Sequence, residues 1–121
     1  MEIRKLDRAN LKADNGLRAQ RLMPWSVLNA PFEGSWCVVP PGGESGAHGH
    51  HEYEIWVAVS GAAELVSEDR REPFVAGDVV HFRPHVHHQV VNTGPESFEM
   101  YAVWWDSDLS EQFLNRHRTG A

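Results

Sequence analysis

Apolar and β-branched residues fall in short runs along this sequence, separated by Gly and Pro. The runs are Leu17–Met23, Ser35–Val39, Tyr53–Ser60, Ala62–Ser67, Val79–Arg83, Gln89–Asn92 and Ser97–Trp105. The breaks lie at Pro24, Pro31, Gly34, Pro40 to Gly43, Gly46, Gly61, Gly77, Pro84, Gly94 and Pro95. Many short β runs bounded by turn residues predict an all-β sandwich or barrel. No regular alternation with helical patterns appears, which argues against a parallel βαβ sheet. In the last run Phe98, Met100, Ala102 and Trp104 share one face; Glu99, Tyr101, Val103 and Trp105 share the other. One of these sets is expected to face the interior.

The period changes near the end. Asp108-Leu109-Ser110-Glu111 has capping-box spacing with Asp108 as N-cap, and predicts a helix over 108–118. Leu109 and Phe113, four apart, are expected to share its buried face. Arg116, His117 and Arg118 place cations in the last turn, and Gly120 is a stop signal. Residues 1–16 read as an N-terminal arm, with a short helix or an irregular path over Asp7–Asn15. The run Glu68-Asp69-Arg70-Arg71-Glu72 reads as a solvated hairpin turn.

Length and charge narrow the picture. At 121 residues the chain is expected to form a single domain, 1–121. A net charge of −6 lacks the basic footprint of a nucleic-acid or anionic-membrane binder. No apolar run approaches the ~18 residues of a spanning helix. The first residues hold no apolar signal core, and the single Cys37 cannot form an internal disulfide. A cytoplasmic, reducing location is therefore expected.

Candidate chemistry sits in the histidines, seven of which fall between His48 and His88. On an extended chain His48, His50 and Glu54 point the same way. The alternation continues through Trp56 and Ala58, with Ile55, Val57 and Val59 opposite, as in a strand buried on both sides. A buried carboxylate needs a charge partner, and a divalent cation shared with two neutral imidazoles provides one. His85-Val86-His87-His88 follows a β run ending near Pro84. If that run pairs beside the first, one of its histidines completes a three-nitrogen, one-oxygen site.

These residues resemble the cupins. The first cupin motif, G-x5-H-x-H-x3-E-x6-G, is matched in full by Gly42, His48, His50, Glu54 and Gly61. The second, G-x5-P-x-G-x2-H-x3-N, is matched by Gly77, His88 and Asn92, while Arg83 and His85 stand where its proline and glycine would be. A differently shaped loop is expected there. The resemblance implies metal ligands at His48, His50, Glu54 and His88, inside an antiparallel double-stranded β-helix, a jelly-roll barrel.

A narrower resemblance rests on GAHGHHEYEIWVAVSG, GDVVHFRPHVHHQVVNTG and FEMYAVWWD followed by a helix. These stretches look like the zinc cupins of hydrazine synthetases, which accompany methionyl-tRNA-synthetase-like domains. That likeness implies Zn2+, Lewis-acid rearrangement of a small amino-acid-like ester to form an N–N bond, and a synthetase-like protein or domain as partner. The ligand set itself also accommodates Fe2+, Mn2+ and Ni2+, so an Fe(II) dioxygenase and a non-catalytic ligand-binding or sensor cupin are the alternatives. A homodimer exchanging its N-terminal arms is a further expectation.

The remaining candidates divide by role. His81, His85 and His87 are candidates for acid–base work, His81 either lining the pocket or packing outside it. Trp56, Tyr101 and Asn92 are candidate substrate-pocket residues, Asn92 either lining the pocket or holding the hairpin backbone. His51, of opposite parity, is expected in solvent. Trp36, Trp56, Trp104 and Trp105 supply core and interface mass. Cys37 reads as a buried small hydrophobe beside the pocket.

Overall fold

The computed structural model describes residues 1–26, 28 and 30–119. Among the described residues nine strands precede one α-helix: β1 Lys12–Asp14, β2 Leu17–Arg21, β3 Phe32–Val39, β4 Glu52–Ser60, β5 Ala62–Ser67, β6 Arg70–Val75, β7 Val79–Phe82, β8 His88–Val91 and β9 Phe98–Asp106, then α1 Ser107–Thr119. All strand pairs are antiparallel. One sheet runs β1-β2-β3-β9-β4-β7, the other β6-β5-β8. The two face each other as the halves of a double-stranded β-helix, so the expected jelly-roll barrel forms.

Period-2 alternation sets the inner faces. Phe98, Met100 and Ala102 of β9 are buried, with Val39 of β3, Trp56 and Ala58 of β4, and Phe74 and Val90 from the other sheet. Phe74 and Phe98 meet across the barrel with ring centroids 5.6 Å apart. Burial of this kind gives about 1.5–3 kcal/mol per large apolar side chain and is the main force closing the sheets. The outer face of β4 is only half-covered: Ile55 and Val57 are intermediate and Val59 is exposed. The strand is thus sealed on one side, not on both as its apolar sequence suggests.

Two strands escape the hydrophobic pattern. β6 buries only Phe74 and otherwise holds Arg70, Arg71, Glu72, Pro73 and the exposed Val75, its charges and proline suiting a protected edge. β1 is three residues without a buried side chain. The charged run is a two-residue hairpin: Glu68 and Asp69 take φ of 50° and 63° between β5 and β6, while Arg70, Arg71 and Glu72 belong to β6. Gly61 joins β4 to β5 at φ 88°, where a Cβ would lie 2.7 Å from the Ser97 carbonyl oxygen; only glycine fits there.

The N-terminal arm packs on its own barrel. Arg4 donates to the Leu22 and Pro24 carbonyls at 2.9 and 2.7 Å. Arg8 meets Glu99 through two hydrogen bonds at 3.0 and 2.9 Å. Of the helix suggested over Asp7–Asn15 only a 3-10 turn, Arg8–Asn10, forms. At the other end the expected cap shifts by two residues. Asp106, not Asp108, accepts from the backbone N–H groups of Asp108 and Leu109, at 2.8 and 3.4 Å. It sits at the end of β9, still extended, as an N-cap must be. Leu109 and Phe113 share a face towards Phe32 and Trp105, but remain 40% and 58% exposed rather than buried. The His117 side chain and Gly120 lie outside the described residues. No helix among the described residues is long and apolar enough to cross a membrane.

Candidate metal centre

Glu54 is buried on the inner face of β4, beside Trp56 two positions on. His48 and His50 precede that strand on the irregular segment leading into it. Their shared parity with Glu54 survives even though the chain is not yet in the sheet. His88 arrives from the opposite side. The run Val79–Phe82 does pair with β4, opposing Glu54 with Phe82, but His88 opens β8 in the other sheet. It reaches the site because His48 and His88 form an isolated antiparallel bridge, exchanging N–H···O bonds of 3.3 and 3.0 Å.

The four side chains converge. One ligand atom from each of His48, His50, Glu54 and His88 lies within 4.8 Å of the others. That is close to the ~4.2 Å that can separate two atoms each ~2.1 Å from one ion. Each imidazole is oriented by its far nitrogen. Nδ1 of His48 lies 3.2 Å from the Gly46 carbonyl oxygen, Nδ1 of His50 3.2 Å from that of Glu52, and Nδ1 of His88 2.9 Å from that of Val86. A carbonyl only accepts, so in His50 and His88 Nδ1 carries a proton and Nε2 is the atom left facing the site. At His48 the Asn15 Nδ2 group, a donor, lies 2.8 Å from the same Nδ1 that faces the Gly46 carbonyl, so the two partners ask opposite roles of that nitrogen. His88 is further locked by Phe82, stacked at 4.2 Å, and by the edge of Trp56 at 5.2 Å.

This arrangement calls for a cation. Glu54 Oε1 lies 3.1 Å from His50 Nε2 and 2.8 Å from His88 Nε2. Two ring nitrogens this close to one carboxylate oxygen require positive charge at the contact, from protons on them or from an ion between them. Burial pushes the Glu54 carboxyl up, but His88, Trp56 and His50 outweigh it and hold it below its ordinary range. The group is thus kept as an anion in the interior, the form a divalent ion requires. The residues present fit such an ion: three imidazoles and one carboxylate with converging ligand atoms.

A cavity of about 220 Å³ opens from this cluster, with Trp56, Met100 and Ala102 among its walls and Asp14, Asn15, Arg21 and Trp104 also lining it. Cys37 lines it too; burial pushes its thiol up to about 11, so it remains a neutral, inert group.

The other candidates separate clearly. Trp56 lines the cavity. Tyr101 does not: it is on the outer face of β9, edge-on to Trp36 at 6.1 Å. Asn92 does not either. Four residues beyond His88 it is roughly 13 Å along the strand direction, fully buried, donating to the Val39 and Glu96 carbonyls at 2.9 and 2.8 Å and accepting from Gly94 N–H at 3.0 Å. It holds the hairpin backbone. His81 faces outward, stacked on Tyr53 at 5.6 Å, because its register partner is Ile55 and not Glu54. His85 is exposed and takes φ 68°, the left-handed conformation that favours glycine, so it serves as the glycine of the second motif would. Its N–H donates to the His50 carbonyl at 2.6 Å. His87 is also exposed, its ring 3.1 Å from where a Cβ on Gly49 would stand. His51 is in solvent, paired with Asp106 at 3.1 Å. Asn15 and Arg21 join the site unforeseen; the inward parity of Leu17, Ala19 and Arg21 was the available signal for the latter.

Comparison with known proteins follows the same lines. The family model described as a cupin domain matches residues 35–104. A cupin 2 conserved barrel domain protein from Salinispora arenicola is 67% identical, over 97% of this chain and 98% of that one, with a TM-score of 0.85. A protein from Photorhabdus luminescens is 36% identical over 97% and 98%, with a TM-score of 0.83. A predicted oxalate decarboxylase from Thermotoga maritima is 30% identical over 60% and 64%, with a TM-score of 0.58. No curated protein matches the sequence significantly.

Proposed function

The chain belongs to the cupin family, and from that premise we propose that it is a metal-dependent enzyme using Lewis-acid chemistry on a small amino-acid-like acid or ester. The observation that carries this reading is the convergence of the His50 and His88 Nε2 atoms on one buried carboxylate oxygen, each ring held by an Nδ1–H···O=C bond on the far side. Zinc is the ion favoured, held by His48, His50, Glu54 and His88. When bound, a divalent ion polarises a substrate oxygen or activates water at its open positions.

The protein's own groups do the rest. Glu54 tempers the ion's charge. The apolar walls of the cavity limit water around the reacting atoms, and its small volume selects a compact substrate. His87, with its ring against the ligand loop, is the proton carrier in this reading; His81, on the outer face, is set aside. Likeness to a predicted oxalate decarboxylase supports a small acid as substrate. In its finest form the reading is rearrangement of an amino-acid ester of an N-hydroxylated amine to form an N–N bond, with a methionyl-tRNA-synthetase-like protein supplying the ester.

The test is metal exchange. Protein stripped by a chelator is refilled with Zn2+ or Fe2+ and assayed on such an ester with and without oxygen. Turnover by the zinc form without oxygen is expected, and His50→Ala should lose stoichiometric metal. Activity confined to the iron form in oxygen replaces this reading with a dioxygenase; ligand binding without turnover in either form replaces it with a binding module.

A further inference from the structure

Charge is rare on the inner face of this barrel. β2 turns Leu17 and Ala19 into the core, and the next residue of that parity is Arg21, at the mouth. Arg21 therefore points to the side where alternation normally places an apolar residue. Its guanidinium lies over the Trp104 ring, 4.7 Å from the centroid. Trp104 in turn sits directly opposite Glu54 in the pairing of β9 with β4. One aromatic ring thus separates Arg21 from a metal-ligand position, and both residues line the same cavity.

The guanidinium is held yet unspent. Nε donates to Asp14 Oδ2 at 2.8 Å, and the two terminal nitrogens have no hydrogen-bond partner among the described residues. A planar fork fixed by stacking and by one anchoring carboxylate presents its free edge for a bidentate contact. A cation at the mouth, with its free edge turned to the cavity, is complementary to a molecule with an anionic end.

We propose that Arg21 is the specificity-determining residue for a carboxylate on the substrate, gripping that end at the mouth while the rest of the molecule extends to the His/Glu cluster. This deepens the reading above and rests on it: the substrate is narrowed to one bearing a free carboxylate distinct from the group that meets the ion. Asp14 is the positioning residue for the guanidinium.

The experiment uses a ladder of probes, since chain length must match the span. Malonate, succinate and glutarate are titrated against propionate, butyrate and valerate, their counterparts with one carboxylate, by calorimetry on zinc-loaded protein and on chelator-treated protein. At least one diacid should bind the zinc form roughly tenfold or more tighter than its monoacid, the order of one charge-assisted bidentate contact. Arg21→Met should remove that advantage while zinc stoichiometry and monoacid affinity stay unchanged; Arg21→Lys should keep part of it. Arg21 is half-exposed, so either variant is expected to fold, and the unchanged zinc stoichiometry verifies this. A diacid advantage that survives Arg21→Met, or no advantage at any length, overturns the proposal with the metal reading intact. Absence of bound zinc in the wild type overturns the metal reading instead. Arg21 is then judged on the metal-free titrations, where diacid binding lost in Arg21→Met supports it and binding unaffected by the variant overturns it.

Discussion

Four side chains from separate stretches of the chain, His48, His50, Glu54 and His88, bring their ligand atoms to one point. His48, His50 and Glu54 keep one parity over seven positions, and His88 keeps its register to Asn92, so this candidate ligand set is readable from spacing. Asn92 itself shows how far parity reaches. It shares a face with His88, yet lies past the end of β8, where its amide turns to the backbone. Removing it leaves the carbonyls of Val39 and Glu96 and the N–H of Gly94 without their partner. Asn92→Ala should therefore cost about 2–4 kcal/mol, two or three hydrogen bonds to a fully buried group, read as a lower urea midpoint. Its uptake of added Zn2+ should match the wild type; lost uptake at unchanged stability would return Asn92 to the pocket. Tyr101 was ambiguous for a plainer reason, since both faces of Ser97–Trp105 carry aromatic rings and only the pairing of β9 with β3 and β4 decides which is inside.

Elements were legible where one face is apolar. β4, β5 and β9 appear in the sequence within a residue or so of their true limits, whereas β6 hides its single buried Phe74 among charges and β1 buries nothing. The helix was found but its cap was not, because Asp106 ends a strand that reads as β throughout. Asp106→Ala should weaken α1 by about 1 kcal/mol, the usual worth of an N-cap. The helix has thirteen residues and little burial, so the loss should appear as reduced helical circular dichroism with the barrel's unfolding midpoint nearly unmoved; full helicity in the variant would show that Asp106 is not its cap. The arm offers a pH-dependent counterpart. The hydrogen bonds from Arg8 hold the Glu99 carboxyl below its ordinary range. A depressed folded-state pKa adds stability above the unfolded value, near 4.3, which is lost as pH falls through the folded value. Glu99→Gln should flatten that acid limb of the stability curve. An unchanged limb would mean that the pair contributes nothing in solution.

At the scale of the whole molecule, the barrel and its family were legible, but not the route by which the fourth ligand arrives. β7 does lie beside β4 as the order of runs suggests, yet His88 enters from the opposite sheet. The sequence shows periodicity, not which sheet a strand joins, and that choice is fixed by long-range pairing. The seam this creates has a kinetic meaning. His48 and His88 are joined twice, once through their backbones and once through whatever their rings share. Parting the sheets there breaks two amide hydrogen bonds and pulls apart the ligand set in one motion. In protein loaded with Zn2+, release of the ion and deuterium uptake at the His48 and His88 amides should then share a rate, with both amides slowed on loading by hydrogen-exchange mass spectrometry and chelator-driven release following the same clock. Release many times faster than exchange would mean that the ion leaves through the mouth of a closed barrel, and that the seam is a hinge the metal never has to open.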